Sequence, residues 1–475
     1  MPMEGETKPA SLSPSAKPAS EAANLLREIW RATGDGGWES RVEFTSAGDL
    51  PSVFAVSDLA AASIGAAALA IAEHVALTAS RPPTVSVDRR LASFWFASSI
   101  EPDGWAPPPA WDPIAGDYVT ADGWIRLHTN APHHRAAALA VLGTPAEQTM
   151  VRSAVMRWKA DELEAAVIAR GGCAATMRSP AAWADHPQGK AVIAEPLVQS
   201  GTTGTATLER RAFEDGRPLA GVRVLDLTRV LAGPVATRFL AGFGADVLRI
   251  DPPEWDEPSL APEVTLGKRC ARLDLRNPGS RDALLELLAS ADVIVHGYRP
   301  DALERLGLGA ETRARVRPGT IDVSLDAYGW TGPWAGRRGF DSLLQMSTGI
   351  AFEGMERFGK DRPTPLPVQA LDHATGYIMA AAVVRGLTRR RAGGVGSIAR
   401  VSLARTAALL SNAPRLENVQ PLQKLDTRDF DARIEVTPWG PARRLHPPVT
   451  IGGAAMRWQS PATDLGSSPP RWQVS

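Results

Sequence analysis

Asp372 stands in the segment Val368-Gln369-Ala370-Leu371-Asp372-His373-Ala374-Thr375-Gly376, which leads into a long apolar stretch with helical character. An aspartate at that point has two compatible uses. As a helix N-cap it contributes about 1 kcal/mol. As a carboxylate beside the amides of a helix start it is held ionised, and an ionised carboxylate attacks an activated acyl carbon without a general base. A second group is cationic. Lys268, Arg269, Arg272 and Arg276 lie within nine residues, Arg299 and Arg305 follow in the next loop, and Tyr298 is available to stack. Any one of these alone reads as a solvated surface charge. Six cations in two loops of a net-neutral chain point to phosphate contact. The adjacent pair His133-His134 reads as packing rather than metal binding. Neighbours at a helix start point in different directions, and no Cys or His pair has metal-ligand spacing, so no metal is expected.

The elements that would position these groups follow from periodicity. Residues 222–227, 246–250, 292–295 and 321–325 read as strands, with helices at 234–243 and 281–289 between them. That alternation predicts an α/β fold with a parallel sheet covered on both faces. Ahead of it, helices are expected at 21–37, 59–77, 134–142, 145–158 and 160–170, short strands at 84–87 and 124–128, and an irregular proline-rich connection at 100–115. The Gly/Thr-rich stretch at 200–205 reads as linker.

The chain of 475 residues has room for two or three domains. Its 52 basic and 52 acidic residues balance, which argues against nucleic acid or an acidic membrane as partner. The two cysteines, Cys173 and Cys270, lie far apart, so a disulfide scaffold is not expected and a reducing cytoplasm fits. No run reaches the length of a membrane span; the closest is 59–72. The N-terminus shows no signal-peptide core, and residues 1–20, rich in Ser, Pro and Ala, are expected to be disordered.

The chain also repeats itself. Asp58 opens a segment with Ile64, Ala66-Ala67-Ala68 and then Val85-Ser86-Val87; Asp372 opens one with Ile378, Ala380-Ala381-Ala382 and then Val401-Ser402-Leu403. The sequence offset is 314 at the start and 316 at the end.

A third observation is an ordered series of landmarks. It runs from Gly221-Val222-Arg223-Val224-Leu225-Asp226-Leu227-Thr228-Arg229-Val230-Leu231-Ala232-Gly233-Pro234 through Gly244-Ala245-Asp246 and Gly267-Lys268-Arg269. It continues through Leu273-Asp274-Leu275, Gly297-Tyr298-Arg299-Pro300 and Gly329-Trp330-Thr331-Gly332-Pro333 to Ala370-Leu371-Asp372. This series resembles the class III CoA-transferases, the family of formyl-CoA and carnitine CoA-transferases. The resemblance implies a Rossmann-like large domain plus a smaller α+β domain, coenzyme A as part of an acyl-CoA substrate, a small carboxylic acid as acceptor, and a homodimer. It implies that Asp372 is the nucleophile, passing through anhydride and aspartyl-CoA thioester intermediates, and that Val230, Leu231, Lys268, Arg269, Leu273, Arg276, Gly297, Tyr298, Arg299 and Arg305 bind CoA.

On that basis residues 21–199 resemble a partial copy with a nucleophile-helix segment and a small domain. Residues 200–214 form a linker, 215–412 the Rossmann-like catalytic domain, and 413–475 a tail returning to the large domain. Asp58, in the copy without a nucleotide domain, is expected to be structural.

There are departures from the family pattern. Pro252-Pro253 follow Asp251 where a basic residue is common, and Leu231 replaces the glutamine of formyl-CoA transferase. Phe340-Asp341 stands where the racemase branch carries His-Asp, which ranks racemase or isomerase chemistry low. A non-catalytic CoA-binding subunit remains the main alternative. A Rossmann dehydrogenase is disfavoured because the turn at 228–234 lacks Gly-x-Gly-x-x-Gly.

Overall fold

The computed structural model describes residues 20–206, 214 and 216–473. The start expected to be disordered therefore lies outside the described residues, apart from Ser20, whose hydroxyl caps the helix Glu21–Ala32. The centre is a seven-stranded sheet. In spatial order its strands are Arg269–Arg272, Asp246–Asp251, Arg223–Leu227, Val293–His296, Ile321–Asp326, Val395–Ser402 and Gln199–Thr205. The first six are parallel and the last pairs antiparallel with its neighbour. Numbered along the chain from Arg223–Leu227, the six parallel strands stand in the order 3-2-1-4-5-6, the doubly wound arrangement. They are apolar on both faces, as burial between two helix layers demands. All four residues of Val293–His296 are buried, for example.

The stretch read as a linker is instead the antiparallel edge strand Gln199–Thr205. Its small residues pair along the exposed side of Val395–Ser402, a role that composition alone does not distinguish from a flexible connector.

Two long helices, Val56–Ala76 and Ala370–Gly393, pack against each other at the core. The first is long and apolar enough to cross a membrane, but 83% of its most apolar window is buried inside the protein. It thus extends beyond the segment legible as an apolar run. One continuous apolar core runs from Ala22 to Ala462 and includes both helices.

The repeat is structural, in a uniform register of 314 residues. Ala55 (φ −74°, ψ 56°) and Gln369 (φ −76°, ψ 63°) precede the two helices in the same unusual conformation. The tight turns Val56 N–H to Phe54 O and Ala370 N–H to Val368 O are both 2.8 Å. Beyond each helix, Asp88 accepts from Leu91 N–H and Ser402 from Arg405 N–H, capping equivalent helices. The offset of 316 read near Val401 is therefore a slip by two residues: it is Val87 and Val401 that correspond.

A small domain of three antiparallel strands, Gly116–Val119, Trp124–Leu127 and Ala174–Thr176, carries helices on one side. The helix Asp341–Ser347 of the large domain packs against its other face. The connection at 100–115 is not wholly irregular, since Ile100–Pro102 pairs with Gly440–Arg444. Through that pairing, and through Val449–Ile451 on Val85–Asp88, the tail first joins the partial copy. It also returns to the large domain, where Arg415 donates to Glu353 at 2.7 Å, Trp458 to Arg238 O at 2.9 Å and Trp472 to Leu287 O at 3.1 Å.

Candidate active site

Asp372 is the third residue of the helix Ala370–Gly393, not its cap; Gln369 holds the capping position without a side-chain bond. Its side chain is buried. The N–H that a helix start would offer to Asp372 is directed elsewhere: Asp372 N–H donates to Asp341 Oδ2 at 2.9 Å. Asp341 opens the helix Asp341–Ser347, is fully buried, and also accepts from Gln345 Nε2. Gln345 is fixed in turn by Leu366 N–H at 2.6 Å.

The Asp341 carboxylate thus lies against the Asp372 backbone, and both residues are buried. Burial raises the Asp341 carboxyl, its hydrogen-bond partners pull it part of the way back, and it stands at about 6. Burial, and after it the Asp341 charge, raise Asp372 well above the usual carboxylate range. The expectation of a plainly ionised Asp372 is corrected: two adjacent buried carboxylates do not both ionise at low cost. His373 supplies no compensating charge, because burial holds its imidazole down at about 3.

Asp58 is also the third residue of its helix, but its surroundings differ. Arg89 binds it through Nε at 2.8 Å and Nη2 at 3.1 Å, and the same guanidinium reaches Asp49 at 2.5 Å. The residue in register with Arg89 in the second copy is Leu403, so Asp372 has no such partner.

The CoA-site expectations divide. At the point where the sheet order reverses, between Leu227 and His296, the chain leaves the sheet through Thr228-Arg229-Val230 on one side and Gly297-Tyr298 on the other. Crevices at such switch points take ligands in doubly wound sheets. Val230 has φ 65°, a left-handed conformation that strains a β-branched residue and marks functional loops. Its N–H is held by Glu257 at 2.9 Å. Gly297 faces open space and Tyr298 is half-buried. Gly233, in the same loop, lets the following helix approach Thr228, where a Cβ would stand 2.3 Å from that side chain.

Sequence reasoning did not assign Arg229, which bridges the two loops. Its guanidinium lies 4.9 Å over the Trp255 ring and 5.4 Å over Tyr298, and donates to the Tyr298 hydroxyl at 3.2 Å. The signal was present in its place within the strand-to-helix turn.

Several of the remaining residues are committed to partners within the protein, and others stay exposed. Lys268 is buried, with Nζ 3.0 Å from Asp226 Oδ2 and 2.9 Å from Pro234 O, so it neutralises a core aspartate rather than meeting phosphate. Arg269 pairs with Asp246 at 2.7 Å and reaches the tail at Arg471 O. Arg272 binds Pro253 O and Trp255 O, each at 2.7 Å, and Asp256 at 2.6 Å, holding the loop that presents Trp255. Leu231 and Leu273 are buried in the two apolar cores of the large domain. Arg276, Arg299 and Arg305 remain on the surface; Arg276 pairs with Asp274 at 2.7 Å and Arg305 with Asp301. Gly349 and Gly376 serve packing: added Cβ atoms would stand 2.5 Å from Pro180 N and 2.4 Å from Ala232 O.

The fold is a doubly wound α/β sheet whose loops at 228–230 and 297–298 meet at the switch point, and it holds Asp372 and Asp341 buried at the starts of two helices. The sequence model of CoA-transferase family III matches residues 219–432 of the chain. An acyl-CoA transferase of Gibberella moniliformis is 29% identical over 337 residues, covering 66% of this chain and 59% of the relative. The succinyl-CoA:glutarate CoA-transferase of Mus musculus is 35% identical over 194 residues, 38% of this chain and 44% of its own. The succinyl-CoA–D-citramalate CoA-transferase of Chloroflexus aurantiacus is 30% identical over 200 residues, 39% and 49%. The chain thus spans about half the length of the curated relatives it matches.

Proposed function

We propose that this chain transfers CoA from an acyl-CoA to a carboxylic acid, with Asp372 as nucleophile. The observation that carries the reading is the buried Asp372–Asp341 pair at a helix start, inside the segment that the family model matches. In the ionised state, Asp372 attacks the thioester carbonyl and expels CoA thiolate, leaving an acyl-aspartyl anhydride. The thiolate then attacks the aspartyl carbonyl, forms aspartyl-CoA thioester and releases the first carboxylate. The acceptor carboxylate attacks that thioester, giving a new anhydride and thiolate. Attack of the thiolate on the acceptor's acyl carbon yields the new acyl-CoA and returns Asp372. Burial and the Asp341 charge favour the protonated form of Asp372, so its proton must leave before the first attack.

Arg229, Val230, Gly297 and Tyr298 are the residues we assign to CoA at the switch point, with Arg276, Arg299 and Arg305 available at the surface for phosphates. The setting would be a reducing cytoplasm, where the buried free thiols of Cys173 and Cys270 persist.

One observation favours a second reading, a non-catalytic CoA-binding protein: Lys268, Arg269 and Arg272 are committed to partners within the protein. Intact-protein mass spectrometry after incubation with acyl-CoAs separates the two. Transfer chemistry predicts a covalent adduct on the wild type that is absent from Asp372→Ala. Calorimetric CoA binding with no adduct on either protein would establish the non-catalytic reading instead.

A further inference from the structure

The resemblance implied two chains. The structure carries the centre of a two-fold assembly inside one. In a two-fold interface, equivalent residues meet at the axis. His74 and Thr388 are equivalent in the 314-residue register, and they meet: His74 Nδ1 lies 3.0 Å from Thr388 Oγ1. Beside them Arg385 bridges to Glu73 at 3.1 Å and to Trp30 O at 3.0 Å. Both helices contribute to a single apolar core, so the face of Ala370–Gly393 that would receive a second copy is already covered by the helix Val56–Ala76.

A buried polar cluster ties the remaining parts together. Glu263 of the large domain accepts from Ser99 Oγ of the partial copy at 2.7 Å. Arg444 of the tail donates to the same hydroxyl at 2.9 Å and to Glu435 at 2.9 Å. The small domain comes from the first copy and meets the Asp341 helix of the second within the same chain. The second carboxyl position is occupied by Asp58, and there Arg89 neutralises it.

We propose that a single chain is the functional unit, an internal pseudo-dimer in which Asp372 is the one reactive carboxylate and the Arg89 ion pair keeps Asp58 out of the chemistry. The adduct count in this proposal rests on the transfer reading above; the single-chain assembly does not.

The test pairs two measurements. His74→Cys and Thr388→Cys are combined and oxidised, which is interpretable because the natural cysteines are buried. The expected result is a cross-link within one chain and a native mass of 50.6 kDa across dilution, shared by the unmutated protein. A covalent two-chain product would mean that halves are exchanged between chains, and would overturn the proposal. So would a two-chain native mass of the wild type, which is decisive even where the double variant does not fold. For the second part, a saturating acyl-CoA is expected to leave one adduct per chain. Two adducts per chain, or one that persists in Asp372→Ala, would overturn the masking of Asp58. No adduct at all would count against the transfer reading and leave the mass and cross-link results to decide the assembly.

Discussion

Asp372 and Asp341 stand at the starts of two helices, and burial, which raises both carboxyls, sets how the site must respond to pH. A carboxyl nucleophile works only when ionised, so the rate of adduct formation is expected to rise with pH as the pair loses its proton. Asp341→Asn removes the neighbouring charge and so lowers the Asp372 pKa, shifting that rising limb to lower pH. A limb that does not move in a stopped-flow pH series would show that Asp341 does not influence the nucleophile. The same pair has a stability signature of defined sign. With Asp341 at about 6 in the folded protein and about 3.9 when unfolded, the native state binds more protons between those values. This site's contribution to stability is therefore lost as pH rises through that window, and urea unfolding of Asp341→Asn should show a flatter slope there.

Lys268 yields the converse residue-scale expectation. Lys268→Ala leaves Asp226 buried without its cation and should cost roughly 3–5 kcal/mol of folding stability. Unchanged stability with weakened CoA binding would restore the phosphate role. The cationic run had suggested that role because sequence shows a lysine's neighbours along the chain but not an aspartate 42 residues earlier, on the strand Arg223–Leu227.

At the scale of elements, the helix Ala370–Gly393 is fixed by close backbone approach. Gly376 lies against the carbonyl of Ala232, where a methyl group would intrude at 2.4 Å. Gly376→Ala should therefore destabilise by roughly 1–3 kcal/mol and displace the turn that carries Asp372, lowering adduct formation as well. Thermal unfolding beside the adduct assay checks both, and a fully stable, fully active variant would contradict the packing role. The parallel strands and their helices were legible in the sequence because their buried faces impose long apolar runs with the right spacing. The edge strand Gln199–Thr205 was not, because an edge strand of Gly and Thr has the composition of a linker. Asp372 was legible as a candidate nucleophile at a helix start, yet its buried setting was not. That depends on Asp341, 31 residues away in sequence, which had been noted only for the histidine missing beside it.

At the scale of the whole molecule, the repeat could be read from Asp58 and Asp372, but not its meaning. The equivalence of His74 and Thr388 becomes visible only when the two helices cross. Arg229 was hidden for a related reason: its partners Trp255 and Tyr298 come from separate loops that the doubly wound sheet brings together. Arg229→Ala should weaken CoA binding by calorimetry while leaving the fold intact, since the side chain is half-buried at the loop surface. Unaltered affinity would remove it from the site. The measurement that bears most directly on the central claim is intact-protein mass spectrometry with a panel of acyl-CoA thioesters, wild type beside Asp372→Ala. The account predicts a CoA-sized or acyl-sized adduct on the wild type alone; an adduct of equal yield on Asp372→Ala would contradict it.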